Sequence, residues 1–112
     1  MFVSLLTRLV WHEATAKPLG GTLTLPDLLP PTTGFIVAVA ATQDSFGIEG
    51  CESTVRHALK AGLLIGWWTN EDGEVQFDAC LQIADRQAAE DRGRAEGQRA
   101  IFDLDTLTEI RL

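Results

Sequence analysis

Basic residues are scarce in this sequence, which has nine lysines and arginines against sixteen aspartates and glutamates, and a formal net charge of −7 at pH 7. Phosphate backbones and anionic lipids repel a negatively charged surface, so direct nucleic-acid binding and membrane association are disfavoured. The negative charge is concentrated between residues 49 and 84, where the net charge is −4. An acidic surface of this kind keeps a protein soluble, but it also suits a basic protein partner or imitates DNA.

Cysteine is rare as well, since only Cys51 and Cys80 are present and their spacing matches no metal or redox motif. A chain of 112 residues can fold without a disulfide, so we expect both thiols to be reduced and buried. The longest uncharged stretch, residues 28–43, is too short to cross a bilayer. No basic residue precedes the apolar segment 2–10, which argues against a secretory signal. We therefore expect a cytoplasmic protein, located in the host cytoplasm if a phage encodes it.

The signatures of the common catalytic and cofactor chemistries are missing from the sequence. It has no Walker loop, no dinucleotide glycine fingerprint, no zincin motif and no serine elbow. Cys51 lies six residues before His57, an offset that does not place both side chains on one face of a helix. Asp103 and Asp105 resemble a metal-binding Asp-x-Asp pair, but in a hairpin such side chains more often stabilise the turn. We expect no metal ion and no cofactor.

The composition is that of one globular domain, with 46% hydrophobic and 22% charged residues. Helical and strand patterns are mixed along the chain, and no change of composition marks a domain boundary. We predict a single α+β domain over residues 1–112, with a mostly antiparallel sheet of about five strands and two to three helices packed on it. Residues 1–33 form a lead-in of helix and loop.

Local patterns place most of the elements. Apolar spacing near 3.6 predicts a short helix at the start of the chain, and three prolines predict an ordered loop at residues 26–34. A β-branched run at residues 34–41 predicts a buried strand. A second helix over residues 51–61 should end at Gly62, and a third should begin after Asp85 and end at Gly97. Residues 99–112 predict a closing hairpin.

Residues 63–81 give the clearest local pattern, because Asp72 and Gly73 favour a two-residue hairpin turn. With that turn, Trp68 lies opposite Phe77 on the core face of the hairpin. Trp67 then lies opposite Asp78 on the other face, which is half exposed or covered by something polar.

The second half of the chain combines an unusual run of glycine, glutamine and aspartate with ordinary packing positions. The pattern consists of Gly34, Phe35, Gly66, Trp67, Gly73, Val75, Asp78, Asp85, Arg86, Ala89, Gly97, Gln98, Ala100, Ile101, Phe102, Asp103 and Leu104. Over residues 34–112 or so, it resembles small uncharacterised proteins of phages, prophages and actinobacterial genomes. The resemblance implies a mobile-element origin and assigns no catalytic residue. The chain departs from such proteins at Leu107, where they tend to have a glycine in the final turn.

Asp78 is the best candidate for a functional carboxylate, because it lies in the middle of a strand, where an unpaired charge is costly. One interpretation is a structural hydrogen bond or ion pair with Arg86 or Arg99. The other is a carboxylate that faces a ligand beside an aromatic wall.

We hypothesise that the chain is a non-enzymatic, acidic protein-interaction module of phage or mobile-element type that binds a host protein with a basic surface and inhibits a defence system. An exposed tryptophan would anchor the interface and acidic residues would form its rim, giving a binding surface of Trp67, Glu71, Asp72, Glu74 and Asp78. Two alternatives stay open. One is a small hydrolase or transferase that uses Asp78 with His57 or Cys51. The other is a structural or homo-oligomerising domain, such as a homodimer.

Overall fold

The computed structural model describes residues 2–112 and shows three helices and seven strands. The helices are α1 (Phe2–Ala16), α2 (Gly47–Ala61) and α3 (Arg86–Ala95). The strands are β1 (Gly21–Leu23), β2 (Phe35–Ala38), β3 (Ser45–Phe46), β4 (Leu64–Thr69), β5 (Val75–Ile83), β6 (Ala100–Asp103) and β7 (Thr108–Arg111), and a 3-10 turn covers Ala40–Thr42. The predicted α+β class is confirmed, with more strands than the five or so expected.

All strand pairs in the described chain are antiparallel. They form one sheet in the order β1-β4-β5-β2-β6-β7, and the short β3 pairs with β5. The long strand β5 is therefore the centre of the sheet, and β1 and β7 are its edges. The sequence did not predict β3, because a two-residue strand is too short to show any periodicity.

All three helices pack on the same face of the sheet. Helices α1 and α2 cover one half, where a core cluster is built from Leu6, Val10, Ala14, Leu23, Cys51, Val55, Ile65, Trp67 and Phe77. Helix α3 covers the other half, where the buried residues are Phe35, Val37, Ala89 and Ile101. Because side chains alternate along a strand, the opposite face is left without a helical layer.

The predicted glycine end of α2 and the predicted N-cap of α3 are confirmed, whereas α2 begins at Gly47, four residues before the predicted start. The carboxylate of Asp85 accepts a hydrogen bond of 2.8 Å from the backbone N–H of Ala88, as an N-cap should. Gly62 follows α2 with a φ of 71°, the left-handed conformation that glycine adopts without strain. On α3, Glu90 pairs with both Arg86 and Arg94 at 2.8 and 3.6 Å, the two pairs that the spacing predicts.

The proline-rich loop between β1 and β2 is held by its own hydrogen bonds, as an ordered loop requires. The backbone of Thr24 accepts from the N–H of Leu28 and donates to the carbonyl of Leu29, both at 2.8 Å. Farther along, the Gln82 amide donates to the carbonyl of Thr33 at 2.8 Å. No helix within residues 2–112 combines the length and apolar character that crossing a bilayer needs.

The closing hairpin forms as predicted, with β6 paired to β7 from Ala100–Arg111 to Asp103–Thr108. Leu107 stands in its turn with a φ of 56°, the conformation that a glycine would adopt more readily. The two aspartates serve the turn: Asp103 accepts from the N–H of Asp105 at 2.9 Å, and Asp105 accepts from the N–H of Gly34 at 3.3 Å.

Gly93 lies where α3 crosses the sheet most closely. A Cβ at this position would lie 2.6 Å from a terminal methyl of Leu112 and 2.9 Å from Cγ2 of Ile101. The Leu112 methyl is the far end of a flexible side chain and can move, but Cγ2 of the buried Ile101 is attached directly to Cβ and moves only if the stiff χ1 rotates or the strand shifts. The close approach of helix to sheet therefore requires glycine.

We predict that Gly93→Ala lowers the free energy of unfolding by about 1–2 kcal/mol, because overpacking outweighs the gain of about 1 kcal/mol that alanine brings to a helix interior. Urea denaturation followed by circular dichroism measures the change. Asp91→Ala, at an exposed position of the same helix, is the control and should change stability by less than about 0.5 kcal/mol. A stabilised Gly93→Ala variant would contradict this packing.

Candidate functional site

A groove of about 670 Å³ crosses the face of the sheet that carries no helix. Its floor is made of small side chains from four strands, Thr22, Ala38, Cys80 and Ala100, together with Gly66. Larger side chains that line it are Leu19, Pro30, Pro31, Ile36, Trp68, Asp78, Phe102, Leu104, Leu107 and Glu109. Small residues at the centre of a sheet and bulky ones around them produce a concave surface.

The groove runs diagonally across the strands. Trp68 on β4 pairs with Gln76 of β5, whereas Phe102 on β6 is level with Ile36 and hence with Gln82. Six residues of β5 separate these two levels, roughly 20 Å at the usual rise of a strand. Asp78 lies between them, closer to Trp68.

The turn between β4 and β5 has three residues rather than the predicted two. Asn70 and Glu74 form the last backbone pair, with the N–H of Asn70 donating to the carbonyl of Glu74 at 2.9 Å, so the loop is Glu71–Gly73. The side chain of Asn70 accepts from the N–H of Asp72 and of Glu74, each at 3.0 Å. Gly73 has a φ of 82°, the left-handed residue that completes a three-residue hairpin loop.

The additional loop residue shifts the register by one place and reverses the predicted faces. Trp67 pairs with Phe77, and Trp68 pairs with Gln76. The prediction that Trp67 is exposed and Trp68 buried is therefore wrong: Trp67 is 5% exposed and Trp68 is 45% exposed. A slip of one residue has this effect because successive side chains alternate between the two faces.

Trp67 has a structural position. Its indole ring lies against Gly21, where a Cβ would come within 2.4 Å of the ring, and its Nε1–H donates to the carbonyl of Lys17 at 2.9 Å. These contacts fasten the turn after α1 and the edge strand β1 to the sheet. Trp67 therefore belongs to the core, and its predicted place in the binding surface is wrong.

Asp78 does face the open side of the sheet, directly opposite Gly66. Partial burial raises the pKa of its carboxyl to about 6, and a hydrogen bond from the side chain of Trp68 acts in the opposite direction. The expected ion pair with Arg86 or Arg99 does not form, because Arg86 pairs with Glu90, and within residues 2–112 Asp78 has no basic nitrogen within 4 Å. The carboxylate is half buried without a cationic partner from the described chain.

The other acidic residues of the predicted surface lie at one end of the groove. Glu71, Asp72 and Glu74 are exposed in and beside the loop that follows β4, three to six residues beyond Trp68. Of the five predicted residues, Asp78 lines the groove, whereas Glu71, Asp72 and Glu74 lie in or beside the adjoining loop, outside its lining. Trp68 takes the place of Trp67.

The residues of the enzyme alternative are not brought together. Cys51 faces α1, where its thiol contacts the carbonyl of Thr7 at 3.6 Å, and burial raises its pKa to about 12, so it is not an activated nucleophile. His57 lies on α2 beside Glu49, Glu52, Ser53, Arg56 and Lys60. Both are on the helical side of the sheet and Asp78 is on the other, so no catalytic group forms from them.

Among residues 2–112, no three side chains of His, Cys, Asp or Glu lie close enough together to hold a metal ion. Both cysteines are free and buried. Burial and the neighbouring Asp78 raise the pKa of the Cys80 thiol, which keeps it protonated on the floor of the groove. Its contribution to the groove is a small, apolar surface.

Sequence reasoning missed the contributions of Ile36, Phe102 and the segments around Leu19 and Pro30. Their side chains reach the groove from β2, β6 and two loops, which only the strand order brings beside β4 and β5. The one available signal was the alternation of side chains within residues 100–104, which places Phe102 on the face of the sheet opposite to the buried Ile101. That signal shows an outward aromatic residue but not its neighbours.

Comparisons with known proteins add no relative: no protein-family model matches the chain, and neither a curated protein nor a solved structure does. The resemblance to phage and actinobacterial proteins stays a prediction.

The two tryptophans provide a direct test of the register. We predict that Trp67→Ala lowers the free energy of unfolding by about 3–5 kcal/mol, because it removes a buried indole and leaves a cavity. Trp68→Ala should cost less than about 1 kcal/mol, since much of that side chain is already in solvent. Urea denaturation of both variants measures the difference. If Trp68→Ala were the more destabilising variant, the result would support the two-residue turn instead.

Stability should also depend on the ionisation of Asp78. The folded-state pKa of about 6 lies above the ordinary value of 3.8, so the folded protein binds this proton more tightly than the unfolded chain does. Ionisation therefore removes stability as the pH rises from about 4 to about 6, and the loss is constant above that. Asp78→Asn cannot ionise and does not lose this stability. The difference in free energy of unfolding between Asp78→Asn and the native protein should therefore be about 1–2 kcal/mol more in favour of the variant at pH 8 than at pH 4.

Denaturant titrations at both pH values provide the measurement, and the difference between them removes any pH-independent effect of the amide. Asp27→Asn, at an exposed loop position, controls for the general loss of one negative charge. An Asp78→Asn variant whose advantage is equal at pH 4 and pH 8 would show that the carboxyl titrates normally.

Proposed function

We propose that this protein is a non-enzymatic interaction module that docks a protein partner with a basic surface in the groove on its open sheet face. The observation that carries the proposal is a sheet face without a helical layer, on which an exposed tryptophan lies beside a half-buried carboxylate that has no cation within residues 2–112. A half-buried charge without a cation beside an exposed aromatic side chain departs from an ordinary protein surface, where single exposed apolar residues are common but partly buried charges are paired.

The apolar contacts that a partner would make are supplied by rigid strands. Trp68 is 45% exposed and Phe102 is 38% exposed, although both belong to strands within the sheet. Large aromatic side chains supply much of the binding energy of protein interfaces when a partner covers them. The offset of roughly 20 Å along the strands and the three strand spacings from β4 to β6 make the diagonal roughly 25 Å, which fits about seven residues of extended chain or one face of a helix.

The charges favour a basic partner. Among the residues that line the groove, Asp78 and Glu109 are acidic and none is a lysine, arginine or histidine. Glu71, Asp72 and Glu74 add negative charge at the end nearest Trp68, and the whole chain carries −7. Such a field accelerates the encounter with a basic surface and repels acidic ones.

The phage resemblance extends this proposal to the identity of the partner. If the chain is of mobile-element origin, the docked protein belongs to the host, and occupying a basic surface on a defence protein is a direct way to inhibit it. The docking proposal itself depends only on the groove.

Selection of random twelve-residue peptides on the immobilised protein tests the proposal. We expect the selected peptides to carry net positive charge and to bind in fluorescence anisotropy titrations. Trp68→Ala should weaken them at least about tenfold, the equivalent of 1.4 kcal/mol, because it removes the main apolar contact. Leu5→Ala is the matched control, since Leu5 is 52% exposed on α1 in the helical layer.

Two outcomes would contradict the proposal. Peptides that tolerate Trp68→Ala but lose affinity with Leu5→Ala would place the binding surface on the helices. A protein that sediments as a dimer, with dimerisation abolished by Trp68→Ala, would make a second copy of the chain the occupant of the groove.

A further inference from the structure

We infer that the partner places a basic side chain, most favourably an arginine, against the indole face of Trp68 and the neighbouring carboxylate of Asp78. This inference rests on the proposed docking function and specifies the chemistry of one subsite in the groove. Binding through this subsite depends on pH, because the carboxylate must be ionised to hold the cation.

The register puts the two groups at the right separation. Asp78 lies two residues along β5 from Gln76, the partner of Trp68; all three side chains lie on the open face of the sheet, and Trp68 and Asp78 line the groove. Diagonal neighbours of this kind in an antiparallel pair are roughly 7–8 Å apart at the backbone, within reach of an aromatic side chain. The indole and the carboxyl therefore form two adjacent walls of one small site.

Gly66 leaves the space that the cation would occupy. It lies directly opposite Asp78, where any other residue would place a side chain beside the carboxyl. A Cβ at this position would also lie 3.0 Å from the sulfur of Cys80. The glycine therefore keeps the Asp78 carboxylate reachable from the groove.

The charges around the site leave Asp78 without a counterion. The titratable groups on the open face with it are Cys80 on β5 and, on the edge strand β7, Glu109 and Arg111, which pair with each other at 3.4 Å. On β1, β2, β4 and β6 the neighbours on this face carry no titratable group: Thr22, Ile36, Ala38, Leu64, Gly66, Trp68, Ala100 and Phe102. Burial raises the pKa of Asp78, and a cation brought by the partner would lower that pKa again.

Arginine suits these two walls better than other cations do. Its planar guanidinium stacks on an indole face and at the same time donates two parallel N–H bonds to a carboxylate. Lysine offers the charge without the plane. A bound metal ion would need further ligands, and the described residues around Asp78 do not provide them.

The direction of the pH effect follows from the linkage between proton and cation. In the free protein the carboxyl of Asp78 titrates at about pH 6, and a bound cation lowers that pKa. The complex therefore holds fewer protons than the free protein. Affinity is constant above about pH 7 and falls as the pH drops through 6, by up to tenfold for each pH unit.

The test uses two capped amino acids as probes, N-acetyl-argininamide and N-acetyl-citrullinamide. Both have uncharged backbones, and only the arginine side chain is charged. Each is titrated into the ¹⁵N-labelled protein while the indole N–H signal of Trp68 is followed, with Trp68→Phe used to assign it. We expect the arginine probe to shift this signal saturably at pH 7.5 and at least fivefold more weakly at pH 5. The citrulline probe should have no effect, Asp78→Asn should abolish the response, and Asp27→Asn should preserve it.

The selected peptides provide the second measurement, because one residue alone binds weakly. Replacing their arginine by citrulline should reduce affinity for the native protein at least tenfold and leave affinity for Asp78→Asn unchanged. Peptides that need Trp68 but bind equally well at pH 5 and 7.5, or that tolerate citrulline, overturn this inference and leave the docking function standing. If no selected peptide depends on Trp68, both are overturned.

Discussion

The register between β4 and β5 determines the rest of the structure, and a single turn fixes it. The three-residue loop Glu71–Gly73 is closed by the side chain of Asn70 and by the left-handed conformation of Gly73. Because a strand alternates its side chains, the length of this loop decides which tryptophan is in the core. With three residues, Trp67 is buried and Trp68 joins Asp78 on the open face.

The buried tryptophan in turn holds the first part of the chain in place. Its ring lies on Gly21 and its indole N–H reaches the backbone carbonyl of Lys17, so β1 is attached to β4 at the point where α1 ends. Helix α1 then packs with α2 over the same half of the sheet. One consequence is that every helix of the described chain lies on one side, and the other side keeps the curved, small-residue floor that becomes the groove.

The sequence predicts the elements whose determinants are local. Gly62 and Asp85 mark helix ends through backbone conformation and a capping hydrogen bond, and both act within four residues of their position. The register could not be predicted in the same way, because Asp72-Gly73 fits a two-residue turn and also the end of a three-residue one. In the observed three-residue loop, the side chain of Asn70 accepts hydrogen bonds from the N–H groups of Asp72 and Glu74.

The groove could be predicted even less from local sequence patterns. Phe102 and Trp68 are distant in sequence and face the same surface only because β5 and β2 separate β4 from β6 in the sheet. A prediction from spacing alone recognised the acidic turn and Asp78, whose chemistry is visible in single residues. It failed for the aromatic walls, whose position depends on strand order.

Asp78 is the residue for which packing alone gives no reason. An asparagine or serine in the same place would satisfy the same neighbours without the cost of a half-buried charge, and the open face offers no cation from residues 2–112 to offset that cost. Gly66 opposite it leaves room for the sulfur of Cys80 and provides no side chain to cover the carboxyl. The uncompensated charge of Asp78 has an explanation if a group from outside the chain uses it. In that interpretation, the stability given up by the free protein at neutral pH is recovered in the complex, where a guanidinium fills the space above Gly66 and neutralises Asp78.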